Sequence, residues 1–424
     1  MSSTLQFSKP PQGIFSILPS FDPDVIPPLG LTPFYIPTDI YRNLLDYKVP
    51  FTVAAIYAGT VFSLNSYNRK NQSKPWAISK TKLFFTFVVL HNITLALYSG
   101  WTFLGMWGTL SRSIPSPHGP DSLVKIVDSL CKIHGPPGLG KSMIYNATSN
   151  QWVSQSTPYT LDGTDIAKLQ SFGRIWNEGL AFYGWIFYVS KFYEVIDTLI
   201  ILAKGKQSET LQTYHHTGAM LCMWAGIRFM SPPIWMFVFV NSAIHTLMYT
   251  YFTFTTLNIQ VPQILKKSLT TAQILQFIVG ASYAAIHSFI SYSFLFEVPI
   301  IKTVLNTSAS TTLSSVRSIV TSTSFSEKIK ELLIISLGRS NKVQPEVKSP
   351  EFTEFHTLHS EKIISDCLDT SGQNFAVWLN VLYLTPLTFL FVNFFVNSYF
   401  RRSTKLRGEV QVEATKSLTS KQKN

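Results

Sequence analysis

Seven apolar segments, separated by short basic turns and two long polar loops, dominate this 424-residue sequence. A helix needs about 20 mostly apolar residues to cross the hydrocarbon core of a bilayer. Only 14% of the residues are charged, whereas a soluble chain carries about 25%. We therefore predict an all-α polytopic membrane protein with about seven transmembrane helices, at 50–64, 83–110, 182–203, 212–229, 233–254, 271–296 and 375–400.

The predicted helices divide the chain into three parts. Residues 1–48 are rich in proline and lack helical periodicity, so we expect an irregular lumenal lead-in with a surface-lying turn at 35–47. Because this start is too polar and proline-broken for a cleaved signal peptide, we expect the first span to act as the signal. The membrane domain follows at 49–402, with long loops at about 111–174 and 298–373, and a basic tail closes the chain at 403–424.

Charge alternates between the loops in a way that predicts the topology. The loop at 65–82, the turns at 204–206 and 266–267 and the C-terminal tail are basic, and the turn at 228–233 carries one charge. Cytoplasmic loops are enriched in Lys and Arg. We therefore expect the N terminus and both long loops on the lumenal side and the C terminus in the cytoplasm. The net charge of +12 then reflects topology rather than nucleic-acid binding.

Three cysteines and three glycosylation sequons bear on this topology. Cys131 and Cys367 fall in the two lumenal loops, where an oxidising environment allows a disulfide, and both the paired and the free forms remain open. Asn146 and Asn306 head sequons in the same loops, and Asn71 heads one on the other side. Cys222 lies inside a predicted span, and we expect it to be a small buried residue.

Polar residues recur at helical spacing within four of the apolar segments. Such groups cannot face lipid cheaply, so they must face one another or a water-filled cavity. Hydrogen-bonded contacts that only hold the helices together remain an alternative, although adjacent histidines are an unusual device for packing. The stripes are Lys191, Glu194, Asp197 and Thr198; Gln212, His215 and His216; Asn241, His245, Met248 and Tyr249; and Gln273, Gln276 and Phe277.

These stripes carry motifs that resemble those of the fatty-acid elongase family, the condensing enzymes of very-long-chain fatty acid synthesis. KFYEVIDT at 191–198 is similar to the family's Lys-x-x-Glu-x-x-Asp-Thr, and LQTYHH at 211–216 to its His-x-x-His-His box. NSAIHTLMYTYF at 241–252 resembles Asn-x-x-x-His-x-x-Met-Tyr-x-Tyr-Tyr, LTTAQILQF at 269–277 resembles Thr-x-x-Gln-Ile-x-Gln-Phe, and HNITLALYS at 91–99 resembles the second-span motif. In order and spacing the motifs cover about 51–402.

Three departures from the family pattern stand out. Gln212 occupies the first position of the box, where most members have His, and Phe252 replaces the last Tyr of the fifth-span motif. The loop between the sixth and seventh spans is longer than the family pattern leads us to expect. Because a glutamine cannot supply the first imidazole, Gln212 argues against a metal site built on all three positions of the box.

The resemblance implies a seven-helix endoplasmic-reticulum enzyme in which six or more helices ring an acyl-chain cavity open to the cytosol. It implies a very-long-chain 3-oxoacyl-CoA synthase, an acyltransferase that condenses an acyl-CoA with malonyl-CoA and releases CoA and CO2, with no cofactor or metal. Expected partners are the two substrates, the lipid bilayer and the reductases and dehydratase of the elongation cycle, with no nucleic acid; a homodimer is compatible with this scheme.

Neutral imidazole is a competent nucleophile and base near pH 7, which suggests roles for the histidines. We hypothesise that His215 takes the acyl group or positions its thioester, while His216 and His245 orient it or transfer protons. The choice among the three histidines stays open. The supporting residues are Asn241, Gln212 and Tyr249 as hydrogen-bond donors to developing negative charge, Glu194 and Asp197 as partners that fix imidazole tautomers, and Lys191, Gln273 and Gln276.

Other functions compete with this hypothesis. GPPGLGKS at 135–142 formally matches a phosphate-binding loop, but it lacks the strand and helix that such a loop needs. A membrane di-iron desaturase or hydroxylase needs several histidine boxes, and the chain has a single incomplete one. A non-enzymatic seven-helix receptor or transporter leaves the paired histidines and the order of the motifs unexplained.

Overall fold

The chain divides into two compact units in the computed structural model, which describes residues 3–10, 25–28, 32–146, 151–155, 172–305 and 352–401. The first unit comprises Met1–Phe294 and Ile363–Asn424, and the second comprises Leu295–Lys362. Of the second unit, the structure describes only strand segments at 295–305 and 352–362. The predicted tail at 403–424 and most of the predicted loop at 298–373 lie outside the described residues.

Helices dominate the first unit. Numbered in chain order within the described ranges, they are α1 (Thr38–Leu44), α2 (Lys48–Lys70), α3 (Lys82–Ser113), α4 (Ser122–Cys131), α5 (Ala181–Tyr193), α6 (Val195–Ala203), α7 (Thr210–Arg228), α8 (Ile234–Thr256), α9 (Gln263–His287) and α10 (Ser371–Phe395). Helix α7 lies centrally and packs against α2, α5 and α10, while α3 packs along α8 and α9 packs along α10.

Each predicted span contains a helix, although several boundaries differ. Four helices of the described ranges are long and apolar enough to cross a membrane: α2, α3, α9 and α10 with its continuation to Tyr399. Helices α5 and α6, with 13 and 9 residues, are too short to cross a membrane alone, and the polar stripes of α7 and α8 lower the mean hydropathy of those two helices. The described residues are thus mostly helical with four candidate spans, which is consistent with an all-α membrane protein, and the count of seven stays a prediction.

The predicted sixth and third spans differ most from the observed helices. The expected sixth span at 271–296 begins earlier, at Gln263, and ends at His287, after which the chain forms a strand from Ile290. A run of β-branched and aromatic residues suits either structure when it is short and apolar. The expected third span breaks at Glu194, which separates α5 from α6.

Strands occupy parts of the predicted lead-in, of both predicted long loops and of the end of the predicted sixth span. They are β1 (Thr4–Phe7), β2 (Met143–Asn146), β3 (Gln151–Ser154), β4 (Ile290–Leu305) and β5 (Phe352–Asp366). β1, β4 and β5 form one sheet in that order, with β1 antiparallel to β4, and β2 pairs antiparallel with β3. We call the end of the first unit that holds α4, β2, β3 and the β1–β4 pairing the sheet end.

A disulfide and a buried ion pair hold the sheet end together. Cys131, at the end of α4, is bonded to Cys367, just after β5. Asp128 binds Arg174 through Oδ2 at 2.7 Å and accepts a hydrogen bond from the Tyr292 hydroxyl through Oδ1 at 2.7 Å. These contacts join α4 both to the start of β4 and to the segment that leads into α5.

The N-terminal segment is anchored to the helical core by a few buried residues, while most of its side chains at 32–47 are exposed. Tyr41 and Leu45 are fully buried, and the Tyr41 hydroxyl donates to the carbonyl oxygen of Ala181. Buried aromatic side chains of the core donate in turn to backbone carbonyls of this segment: Trp176 to Ile26, Trp185 to Tyr41, Tyr188 to Leu44 and Trp224 to Leu45. Most residues of 35–47 are exposed, as expected for a surface-lying segment, but the segment forms the helix α1 and buries one face through Ile36, Tyr41 and Leu45.

Candidate active site

A cavity of about 610 Å³ opens at the end of the first unit opposite the sheet end. Side chains of α3, α6, α7, α8, α9 and α10, together with Glu194, line it, so six helices ring the space. Basic residues stand at its mouth: Lys204 and Lys206 in the turn after α6, and Lys266 in the first turns of α9. We call this the basic end.

The histidine pair sits on the first turns of α7 because that helix begins only at Thr210, after an extended Glu209. Residues three and four apart share a helix face, and Gln212, His215 and His216 accordingly all line the cavity. Their rings lie side by side, with centroids of His215 and His216 5.5 Å apart. The predicted common face of these residues is therefore present.

His215 is held by a tyrosine on the last helix. The Tyr383 hydroxyl lies 2.9 Å from Nδ1 of His215 and 3.0 Å from the backbone oxygen of the same residue. Gly218 makes this approach possible, since a Cβ there would overlap the Tyr383 ring. Among the hydrogen bonds of the described residues, none involves Nε2 of His215.

His216 takes part in a separate chain of polar contacts. Nε2 of Gln212 lies 3.4 Å from Nε2 of His216, and it donates to Oγ1 of Thr198 at 3.3 Å. Thr198 is in turn 2.8 Å from the Tyr57 hydroxyl. Because a side-chain amide nitrogen only donates, Nε2 of His216 is the acceptor in its contact with Gln212.

Glu194 lies at the break between α5 and α6, and its carboxylate contacts one lysine, one serine and one histidine. Its Oε1 accepts from Nζ of Lys191 at 2.7 Å and from Oγ of Ser190 at 3.2 Å, and it lies 3.9 Å from Nδ1 of His245. Both members of the Lys191–Glu194 pair are buried, with side chains 4% and 3% exposed. A buried pair of this kind neutralises itself and needs good geometry to be tolerated.

Asp197 binds His91 rather than the histidines of the box. Its Oδ1 lies 2.8 Å from Nε2 of His91, and its Oδ2 accepts from the Tyr249 hydroxyl at 2.6 Å. The other ring nitrogen of His91 contacts the Tyr193 hydroxyl at 3.2 Å. Both ring nitrogens of His91 are therefore engaged in packing contacts, and Tyr249 already donates its only proton.

Amide groups line the α8–α9 wall of the cavity. Nδ2 of Asn241 donates to Oε1 of Gln276 at 3.4 Å, and Nε2 of Gln273 contacts the sulfur of Met248 at 3.4 Å. An amide nitrogen carries two N–H donors, so each of these side chains retains one donor beyond the contact named.

Lys204 lies at the cavity mouth next to Lys206. Partial burial lowers the pKa of Lys204, and the positive charge of Lys206 lowers it further. Two neighbouring positive charges would attract an anion to this end of the cavity.

The cavity brings together ten of the eleven predicted site residues, every one except Lys191. Lys191 instead lines a smaller cavity of about 50 Å³ on the other side of His215, which Asn241 and Gln276 also reach. Sequence reasoning missed Asn380 and Tyr383 of α10, which line this smaller cavity. Their spacing of three residues in an apolar helix was the signal that could have found them.

The described residues contain no group of three or more His, Cys, Asp or Glu side chains placed to hold a metal ion. The prediction that the site works without a metal stays a prediction.

The chain is similar to one protein family and to several of its members. The family model described as ELO: GNS1/SUR4 family matches residues 43–407. Very long chain fatty acid elongase 3 of Homo sapiens is 33% identical over 105 residues, 25% of this chain and 39% of the relative. Fatty acid elongase sre1 of Dictyostelium discoideum is 38% identical over 104 residues, 24% and 38% of the two chains. Fatty acid elongase 2 of Trypanosoma brucei brucei is 30% identical over 120 residues, 28% and 44%. The matched regions thus span less than half the length of these relatives.

Proposed function

Because this chain belongs to the GNS1/SUR4 (ELO) family, we propose that it is a membrane fatty-acid elongase that condenses an acyl-CoA with malonyl-CoA to a 3-oxoacyl-CoA two carbons longer. The observation that carries the proposal is the convergence of His215, His216 and His245 on one cavity ringed by six helices. The names of the similar proteins, all fatty acid elongases, support the same reaction class.

In the proposed reaction His215 accepts the acyl group. Its Nε2 attacks the thioester carbonyl carbon, the carbon–sulfur bond breaks and CoA leaves as a thiolate that takes a proton from solvent. Malonyl-CoA then loses CO2, and the enolate carbon attacks the acyl carbon on His215. The new carbon–carbon bond forms as Nε2 leaves, which returns the imidazole to its neutral state.

The remaining site residues act on charge and orientation. Asn241 has an N–H left to donate to the thioester or enolate oxygen, where negative charge develops. Tyr249 is less suited to that role than the sequence suggested, since its hydroxyl proton is given to Asp197. His245 faces the Glu194 carboxylate at 3.9 Å, so it can take up a proton with a counterion nearby.

We place the acyl chain inside the bundle and the CoA moiety at the basic end. Lys204, Lys206 and Lys266 would face its phosphates, and an apolar tail suits a space walled by helices. The topology that follows has the basic end in the cytoplasm and the sheet end in the lumen of the endoplasmic reticulum. The reductases and dehydratase of the elongation cycle would then take the product.

The test is elongation by membranes that contain His215→Ala, assayed as incorporation of labelled malonyl-CoA. We expect the rate to fall by at least about 100-fold, as for loss of a nucleophile. The matched control is His287→Ala, which removes another buried helical histidine that does not line the main cavity. Equal rates for His215→Ala and wild type at equal protein levels would reject the role of His215.

A further inference from the structure

One hydroxyl group reaches the proposed nucleophile from a helix that sequence reasoning left out. Tyr383 lies on α10 and is buried, with 9% of its surface exposed. Its oxygen contacts two atoms of one residue, Nδ1 and the backbone oxygen of His215, at 2.9 and 3.0 Å. Both distances are within the normal range for hydrogen bonds.

The two contacts together select one tautomer of His215. A tyrosine hydroxyl has one proton to donate, whereas a carbonyl oxygen can only accept. If the Tyr383 proton goes to the carbonyl oxygen, Nδ1 must carry its own proton and donate it to the hydroxyl oxygen, and both contacts are hydrogen bonds. If the proton goes to Nδ1 instead, two oxygen lone pairs face each other at 3.0 Å, which is repulsive.

Protonation at Nδ1 leaves the lone pair on Nε2. In a neutral imidazole one nitrogen donates and the other accepts. Among the described residues no hydrogen bond involves Nε2 of His215, and the residue borders both cavities. The neighbouring His216 differs, because the Gln212 amide approaches its Nε2 at 3.4 Å. The two adjacent imidazoles therefore differ at Nε2, which contacts an amide nitrogen in His216 and has no hydrogen bond to the described residues in His215.

The position of the Tyr383 ring is fixed from two sides. The ring lies against α7 at Gly218, where a Cβ would overlap it, and its centroid is 5.6 Å from that of Tyr214. The Tyr214 hydroxyl also donates to the backbone oxygen of Tyr383 at 3.2 Å. A hydroxyl held this firmly does not need to be ordered when the substrate binds.

We propose that Tyr383 is a positioning residue that holds His215 with Nδ1 protonated, so that the Nε2 lone pair faces the cavity and attacks the thioester. This inference rests on the proposed function. When the acyl group is transferred to Nε2, the ring becomes a cationic acyl-imidazolium that keeps its Nδ1 proton. The Tyr383 oxygen accepts a hydrogen bond from that proton and so stabilises the charge that develops.

The test compares Tyr383→Phe with Tyr214→Phe in purified protein. Each variant loses one hydroxyl from the α7–α10 contact, but only the first removes a hydroxyl from an imidazole. We expect Tyr383→Phe to lower kcat by about 10- to 100-fold, the usual range for a lost hydrogen bond to a charged group, with KM for both substrates within about two-fold of wild type. Tyr214→Phe keeps the ring contact with Tyr383 and loses only a hydrogen bond to the Tyr383 backbone oxygen, so both constants should stay within about two-fold of wild type.

The first half-reaction gives a more direct measurement. Single-turnover release of CoA from acyl-CoA, without malonyl-CoA, should slow in Tyr383→Phe by the same factor as kcat and stay unchanged in Tyr214→Phe. Gly218→Ala provides a second variant, because it keeps the hydroxyl but displaces the ring, and it should slow the same step. Thermal unfolding of each variant in detergent shows that the protein is folded.

The outcomes separate this inference from the function on which it rests. If wild type elongates acyl-CoA but Tyr383→Phe matches Tyr214→Phe in kcat and in CoA release, the role of Tyr383 is overturned and the proposed function stands. A rise in KM with unchanged kcat would also overturn it, since that pattern marks substrate binding. If wild type neither elongates acyl-CoA nor releases CoA, both proposals fall.

Discussion

At the scale of single residues, Arg174 explains why a phosphate-loop sequence is not a nucleotide site. A phosphate loop presents backbone N–H groups to its ligand. Here the loop at 135–142 instead directs carbonyl oxygens of Pro136 and Gly138 at the Arg174 guanidinium, each at 2.7 Å. Gly138 has φ of 104°, in the left-handed region that glycine adopts readily. The loop therefore binds a cation from its own chain, and its glycines serve that turn.

Replacing this arginine should be costly. In Arg174→Met, Asp128 loses its partner while its carboxylate stays buried, because both side chains are 2% exposed or less. We expect a loss of about 3–5 kcal/mol in the free energy of unfolding, measured by denaturant or thermal unfolding in detergent.

A matched substitution exists at the surface of the first unit. Arg112 contacts Glu178 at 2.6 Å, but its side chain is 56% exposed, so Arg112→Met should cost about 1 kcal/mol or less. Similar losses for the two substitutions would show that burial does not decide the strength of these ion pairs.

Sequence reasoning found the residues of the site whose spacing repeats along one helix. Gln212, His215 and His216 follow the helical period, and the same rule placed Asn241 and His245 on the cavity wall. The helical spacing rule did not identify Tyr383, whose hydroxyl contacts His215 although the two residues are 168 positions apart in the sequence. The spacing of Asn380 and Tyr383 indicates a shared helix face, but it does not show which helix that face contacts, because a contact between distant helices depends on how they pack.

At the scale of elements, the long helices were predictable from the sequence, whereas the break at Glu194 and the strands were not. The existence of long helices was predictable because apolar runs are unambiguous. The division at Glu194 was not, since charged residues at helical spacing look continuous in a sequence. The β1–β4 pairing was missed because it joins residues near Thr4 to residues near Ser293, a register that only tertiary structure defines.

The disulfide between α4 and β5 can be tested by counting thiols. The chain has three cysteines, and Cys222 is the free one in the structure. Denatured protein treated with maleimide without reductant should therefore gain one label, and reduced protein should gain three, as read by mass spectrometry. Cys367→Ser is the control, because it should expose Cys131 and give two labels without reductant. Three labels in unreduced wild type would contradict the pairing.

At the scale of the whole molecule, the first unit has a basic cavity at one end and a disulfide-linked sheet region at the other. The basic end holds the cavity mouth and its lysines, and the sheet end holds the disulfide, which forms in oxidising compartments. Helices alone could not make this division. It requires α4, the β2–β3 pair and the start of β4 to pack together at the sheet end, where the disulfide links α4 to the segment before α10.

The last prediction concerns the orientation of this two-ended molecule in the membrane. Asn146 is exposed at the end of β2, at the sheet end, whereas Asn71 follows α2 at the basic end. Sequons are glycosylated only on the lumenal side, so we expect a glycan on Asn146 and none on Asn71. Asn306 lies outside the described residues, and the same topology predicts that it is accessible to glycosylation.

Single substitutions to Gln at each sequon, followed by endoglycosidase treatment and gel mobility, measure the orientation. Asn146→Gln should remove one enzyme-sensitive shift, while Asn71→Gln should leave the pattern unchanged and serve as the control. A glycan on Asn71, with neither Asn146 nor Asn306 modified, would reverse the orientation. The cavity mouth would then open to the lumen, where cytosolic acyl-CoA and malonyl-CoA could not reach it, so this result would also remove the basis for placing CoA at the basic end.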